Sequence, residues 1–92
     1  MNQKTALITG ATSGIGKATA ELFAKNGIRL IVCGRREDRL KAICDKLKSL
    51  TEITYLQFDV SKREDVARSL QAIPENFKNI DILVNNAGNA HG

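Results

Sequence analysis

Tryptophan is absent from these 92 residues, and one tyrosine and three phenylalanines make up the whole aromatic complement. The basic residues form no long stripe, and there are too few rings to stack between them, so nucleic acid is excluded as a partner. No apolar run approaches the roughly 18 residues that a membrane-spanning helix needs. The apolar stretch at positions 6–8 is too short for the core of a secretory signal, and glycines follow it rather than a cleavage-like site. The chain therefore reads as cytoplasmic, with neither a membrane nor a nucleic acid as partner. Its two cysteines, Cys33 and Cys44, fit that compartment as small reduced core residues rather than a disulfide. The single histidine, His91, has no metal-ligand companions in sequence, so no metal site is expected. No internal repeat, linker or low-complexity tract is present. The length allows one small domain, 1–92, and a chain this short buries only about 60–65% of its unfolded surface.

The net charge is +4, and its distribution says more than its size. Six basic and three acidic residues fall between Arg35 and Lys48, which places +3 of the total in one segment. A solvated helix face is one reading of such a mixture. A local anion site at the start of the segment is the other.

Strand and helix patterns alternate along the chain. Residues 5–9 form an apolar, β-branched run suited to a strand covered on both faces. Residues 14–26 read as a helix with Ala18, Leu22 and Phe23 inward, stopped by Gly27. A second strand spans 30–33. A second helix spans 36–50, with Leu40, Ile43, Cys44 and Leu47 on one face. A third strand spans 53–58. Ser61-Lys62-Arg63-Glu64 is a capping-box sequence for a third helix, with Val66, Leu70 and Ile73 inward and Pro74 at its end. A fourth strand spans 80–85, and Asn85–Gly92 is a small-residue loop. This order predicts an α/β fold, the N-terminal half of a Rossmann-type doubly wound parallel sheet. The fourth strand should pair with the first and lack a partner on its other side. The first two helices should share one face of the sheet, leaving only the third to cover the other, so that apolar sheet surface stays bare.

The chemistry concentrates at strand ends. After the first strand come Gly10-Ala11-Thr12-Ser13-Gly14-Ile15-Gly16, with glycines in the spacing G-x3-G-x-G. A strand that turns through glycines into a helix N-terminus directs free N–H groups and the positive end of the helix dipole at one point, which suits a pyrophosphate. Gly10 is expected to need positive φ. Gly14 and Gly16 remove side chains where phosphate must approach backbone and where helix must pack on strand. A Walker-type phosphate loop fails, because five residues rather than four separate Gly10 from Gly16 and Ala18 follows Lys17 where Ser or Thr must hold the metal.

At the end of the second strand, Gly34 stands about 20 residues beyond the loop, where dinucleotide folds place an acid for the ribose 2′-OH. Here no carboxylate is present to repel a 2′-phosphate, and Arg35 and Arg36 can grip one. Asp59 ends the third strand, as an acceptor for an adenine amino group or as a cap for the next helix, with Val60 as an apolar wall. Asn85-Asn86-Ala87-Gly88 ends the fourth strand, where ligands of open α/β sheets bind. An Asn there can tie strands together or touch the ribose. Tyr55 alternates within a strand and reads as a packing residue.

These residues together resemble the N-terminal part of a short-chain dehydrogenase/reductase. The resemblance rests on Thr9-Gly10-x-x-x-Gly14-x-Gly16, Asp59-Val60 and Asn85-Asn86-Ala87-Gly88, in order and spacing. Gly34-Arg35-Arg36-x-x-Arg39-Leu40 and the run from Phe77 to Gly88 are most similar to the branch of NADP-dependent 3-hydroxy acid (serine-type) dehydrogenases. The resemblance implies that Gly10 to Ile15 wrap the pyrophosphate and adenosine ribose, and that Arg35 and Arg36 hold the 2′-phosphate of NADP. It further implies that Asp59 and Val60 hold the adenine, and that Asn86, with Ala87 and Gly88, borders the adjacent ribose region. It implies a parent enzyme that moves hydride between NADP(H) and a small hydroxyl/carbonyl substrate and assembles as a homo-oligomer. The family's Ser and Tyr-x-x-x-Lys proton-transfer set is not found. Tyr55 is the only tyrosine, and the residue four on is Asp59. The chain is thus expected to be a cofactor-binding half, truncated before the catalytic one. A non-catalytic nucleotide-binding or NADP-sensing module, and a structural fragment that binds nothing, are the rival readings.

Overall fold

The computed structural model describes residues 3–59 and 61–86. In it each β-rich run becomes a strand: β1 (Thr5–Thr9), β2 (Arg29–Gly34), β3 (Ile53–Gln57) and β4 (Ile82–Asn85). They pair in parallel in the order β3-β2-β1-β4, as the alternation with helices predicts. The connecting helices are α1 (Gly14–Lys25), α2 (Glu37–Leu47) and α3 (Arg63–Gln71), followed by a 3-10 turn at Glu75–Phe77.

The pleat sorts each strand into two cores. Ala6, Ile8, Leu30 and Val32 face α1 and α2, where they meet Leu40, Ile43 and Leu47. Leu7, Ile31, Cys33, Leu56 and Phe58 face the other side, where Ile73, Phe77 and the half-buried Val66 close over them. The first two helices therefore share one face, as expected. Cys33 lies in one core and Cys44 packs against the other, so the sheet separates the two thiols.

The inward face of α1 differs from the sequence reading. Ala18 and Leu22 are exposed, and the buried residues are Gly16, Ala20 and Ala24. A stripe of minimal side chains one turn apart lets the helix backbone lie close to the sheet, and close packing outweighs side-chain size here. The stop at Gly27 is as expected. Its N–H donates to the carbonyl of Ala24 and that of Ile28 to Phe23, both at 3.0 Å, a Schellman ending.

The capping box before α3 does not form either. Lys62 is the N-cap, with no side-chain capping bond. The Asp59 carboxylate instead takes both the N–H and the hydroxyl of Ser61. Leu70, expected inward, is largely exposed, and α3 buries no residue fully. Strand β4 starts at Ile82 rather than at position 80. Its Leu83 pairs in register with the buried Leu7 yet is 69% exposed. The α3 face is the bare one, as the count of helices implies.

At the amino ends of the strands, Arg29 ties the layers together. Its guanidinium donates to Gln3 and to the Asn76 carbonyl and pairs with Glu52. The carboxyl ends carry the loops that matter for function.

Candidate nucleotide-binding site

The turn after β1 is built by glycines with two distinct tasks. Gly10 and Gly14 have φ of 63° and 56°, the left-handed region where a Cβ is strained. Gly16 has no such φ, but a Cβ there would stand 2.0 Å from the carbonyl oxygen of Gly10. At Gly14 the space a Cβ would enter holds nothing within 4 Å. Ala11 is buried, and its N–H reaches the Cys33 carbonyl at 3.4 Å, which fixes the turn to the end of β2. Ser13 is the extended N-cap of α1 and makes no side-chain capping bond. Ile15 is 77% exposed, an apolar side chain standing out from the turn. The first N–H groups of a helix lack intrahelical acceptors. Among the described residues no turn or cap hydrogen bond uses those of Ser13, Gly14, Ile15 or Gly16.

Gly34 closes β2 directly beside this turn. A Cβ on it would lie 3.7 Å from the Thr12 methyl and 3.4 Å from Leu40 Cδ2. Arg35 and Arg36 follow, both exposed, with Arg36 as the N-cap of α2. Gln57 donates to the Arg35 carbonyl at 3.1 Å. Arg35, Gln57, Phe58, Asp59 and Asp65 line an open cleft of about 240 Å³. In it Asp59 Oδ1 accepts from the Ser61 hydroxyl at 2.7 Å and from the Ser61 N–H at 2.9 Å. These two bonds, with smaller help from the charges of Arg35 and Lys62, hold the Asp59 carboxyl below its ordinary range. Asp59 Oδ2 makes no hydrogen bond among the described residues.

At the end of β4, Thr9 joins two strands. Its hydroxyl donates to Asn85 Oδ1 and accepts from the Asn86 N–H, each at 3.0 Å. The Asn86 side-chain nitrogen is buried and has no hydrogen-bond partner among the described residues. Val60, Ala87 and Gly88, named from the sequence, lie outside the described residues, as does His91.

The family model described as short chain dehydrogenase matches residues 4–92. The chain belongs to the short chain dehydrogenase family. Serine 3-dehydrogenase from Rhizobium radiobacter is 48% identical over 88 residues, 96% of this chain and 34% of that enzyme. The NADP-dependent 3-hydroxy acid dehydrogenase YdfG of Salmonella typhi is 41% identical over 86 residues, 94% of this chain and 34% of that protein. Among solved structures, L-sorbose reductase from Gluconobacter frateurii, complexed with NADPH and L-sorbose, superposes with a TM-score of 0.85 at 38% identity, covering 92% of this chain and 33% of that one. The alcohol dehydrogenase of Thermococcus sibiricus, complexed with 5-hydroxy-NADP, gives 0.84 at 37% identity, covering 89% and 36%. The chain spans about a third of the length of these relatives.

In this family member the described residues of the loops after β1, β2, β3 and β4 follow the carboxyl ends of parallel strands, at one end of the sheet. Tyr55 is a packing residue, as expected. It lies against the α1/α2 core and donates to Glu37 at 2.8 Å, a bond that pushes its pKa up. Among the described residues no cluster of His, Cys, Asp or Glu could hold a metal, and no helix is long and apolar enough to cross a membrane. Sequence reasoning missed a second cleft, of about 310 Å³, lined by Thr12, Lys17, Arg39, Ala42, Ile43 and Lys46. A signal for it exists: Arg39, Ala42, Ile43 and Lys46 follow the i, i+3, i+4, i+7 spacing of one helix face.

Proposed function

We propose that this chain is a dinucleotide-binding domain, residues 1–92, from an NADP-dependent oxidoreductase that moves hydride between NADP(H) and a small hydroxyl/carbonyl substrate. The observation that carries the reading is the junction of Gly34 with Thr12, followed by Arg35 and Arg36. A carboxylate at position 34 would project at the turn and favour an unphosphorylated ribose. The glycine removes it, and two guanidiniums stand next in the chain to take a phosphate bidentately. The free N–H groups from Ser13 to Gly16 and the open space at Gly14 support a pyrophosphate seat at the α1 N-terminus.

The remaining assignments follow. Gly10 to Gly16 hold the pyrophosphate and ribose, with Thr12 and Ile15 as walls and the buried Ala11 anchoring the turn from beneath. Asp59 offers Oδ2 to the adenine amino group while Ser61 fixes Oδ1, and Val60 lies against the base. Asn86, with Ala87 and Gly88, borders the adjacent ribose. Bound NADP(H) supplies the hydride donor or acceptor. The named activities of the relatives support an alcohol or 3-hydroxy acid as substrate class. A homo-oligomeric parent belongs to the same proposal.

Replacing Arg35 tests this reading. Charge-assisted hydrogen bonds contribute about 1.5–3 kcal/mol each. Arg35→Ala should weaken NADPH binding about ten- to a hundredfold and leave NADH unchanged, measured by calorimetry. Equal losses for both would overturn the assignment.

A further inference from the structure

The cleft at the ends of β2 and β3 is lined by one cation, Arg35, and two carboxylates, Asp59 and Asp65, together with Gln57 and the buried Phe58. Opposite charges sharing a small cleft tend to pair, and Asp59 feels the Arg35 charge. Even so, Arg35 forms no ion pair with either carboxylate among the described residues. Ser61 accounts for this at Asp59. Its hydroxyl and its N–H both donate to Oδ1, at 2.7 and 2.9 Å, and the Lys62 N–H donates to the Asp59 carbonyl at 2.9 Å. The carboxylate is thus held by its own loop. The Arg35 backbone is held separately, through the Gln57 amide. Neutral groups fix both partners, neither charge is spent on the other, and Oδ2 keeps no bond among the described residues. Ser61 itself is exposed and does not line the cleft, so it acts there through Asp59. Capping α3 is not its task, because Lys62 is the N-cap and no side chain caps that helix.

We infer that Ser61 is a positioning residue for base recognition: it holds the Asp59 carboxylate away from Arg35, so that Oδ2 is kept for the amino group of a 6-aminopurine. This rests on the proposed NADP reading and adds to it a residue that touches neither base nor phosphate. A carboxylate oxygen attracts a 6-amino group and repels a 6-oxo group. The readout is therefore the choice between adenine and hypoxanthine in the same dinucleotide.

The test is calorimetry on the unchanged chain and on Ser61→Ala, Ser61→Thr and Asp59→Ala. The titrants are NADPH and its analogue with hypoxanthine in place of adenine. The unchanged chain and Ser61→Thr, which keeps the hydroxyl, should both prefer NADPH. Ser61→Ala should lose about three- to tenfold of that preference, and Asp59→Ala should lose all of it. A pH series adds a second readout. The Ser61 hydroxyl is the largest of the influences that hold the Asp59 carboxyl below its ordinary range. Protonation removes the acceptor charge, so NADPH binding weakens as pH falls, and without the hydroxyl this acid limb should move to higher pH. Arg35, Lys62 and Asp65, the other charged groups around Asp59, are the same in the unchanged chain and both Ser61 variants, as is the cofactor phosphate. Thermal transitions matching the unchanged chain verify that the variants are folded. The inference is overturned if Ser61→Ala keeps the full base preference, if it weakens both titrants equally with an unmoved acid limb, or if Ser61→Thr loses as much. Should Asp59→Ala lose the preference while Ser61→Ala does not, this inference fails and the proposed function stands. Should the unchanged chain bind the two dinucleotides alike, the adenine assignment of Asp59 fails and this inference with it. Should it bind neither, the proposed function itself fails.

Discussion

The carbonyl oxygen of Gly10 stands 2.0 Å from the point where a Cβ on Gly16 would be. The obstacle is backbone, which cannot swing aside as a flexible side chain could. Gly16→Ala should therefore push α1 off the sheet. The expected loss is about 1–3 kcal/mol, as for overpacking in a tight core. In a domain of this size that lowers Tm by several degrees. Differential scanning calorimetry checks it. A transition unchanged from the parent would show that the contact has slack.

Gly34→Asp should change the cofactor preference. Gly34 is not among the glycines with positive φ, and a Cβ there meets only ordinary contacts with Leu40 and Thr12. The variant is thus expected to fold. Its carboxylate would stand where the 2′ substituent is proposed to lie, repelling a phosphate and accepting from a hydroxyl. NADPH affinity should fall at least about tenfold and NADH affinity should rise, read by competitive titration of the two. A variant that keeps its preference for NADPH would move the ribose away from Gly34.

Stability should fall on the alkaline side, with Cys33 responsible for part of the slope. Burial pushes this thiol up to about 12 and Cys44 to about 11. In the unfolded chain a thiol ionises from about pH 8.5. The native state keeps its proton longer, so the stabilisation is complete below about pH 8.5 and is lost as pH rises toward the folded values. Urea unfolding between about pH 8 and 11 should show the decline. Cys33→Ala should make the slope shallower, whatever it does to the absolute value. An unchanged slope would assign the effect to other groups.

Much of the fold is legible in the sequence because its signals are local. Alternating runs give the strand order, and Leu40, Ile43 and Leu47 point inward as their spacing implies. Gly10 takes the positive φ expected of the residue that leaves β1. The readings that failed concern competition between neighbours. Ala20 and Ala24, not Ala18 and Leu22, face the sheet because Gly16 must sit against Gly10, and that contact sets the rotation of the whole helix. Ser61 looks like a cap in sequence, but Asp59 reaches its N–H and hydroxyl first. The Thr9 link to Asn85 and Asn86 spans more than 75 positions, and no local pattern marks a contact of that range. The cleft at Lys17 and Arg39 joins two helices and is visible only once they are packed side by side.

The most direct test of the central claim is the ratio of NADPH to NADH affinity in the unchanged protein. Calorimetric titration with each, in the same buffer and at the same salt, gives two dissociation constants. With Gly34 beside Thr12 and two arginines next in the chain, NADPH is predicted to bind at least about tenfold more tightly. Higher salt should narrow the gap by screening the phosphate contacts. Equal constants, or tighter binding of NADH, would contradict the account.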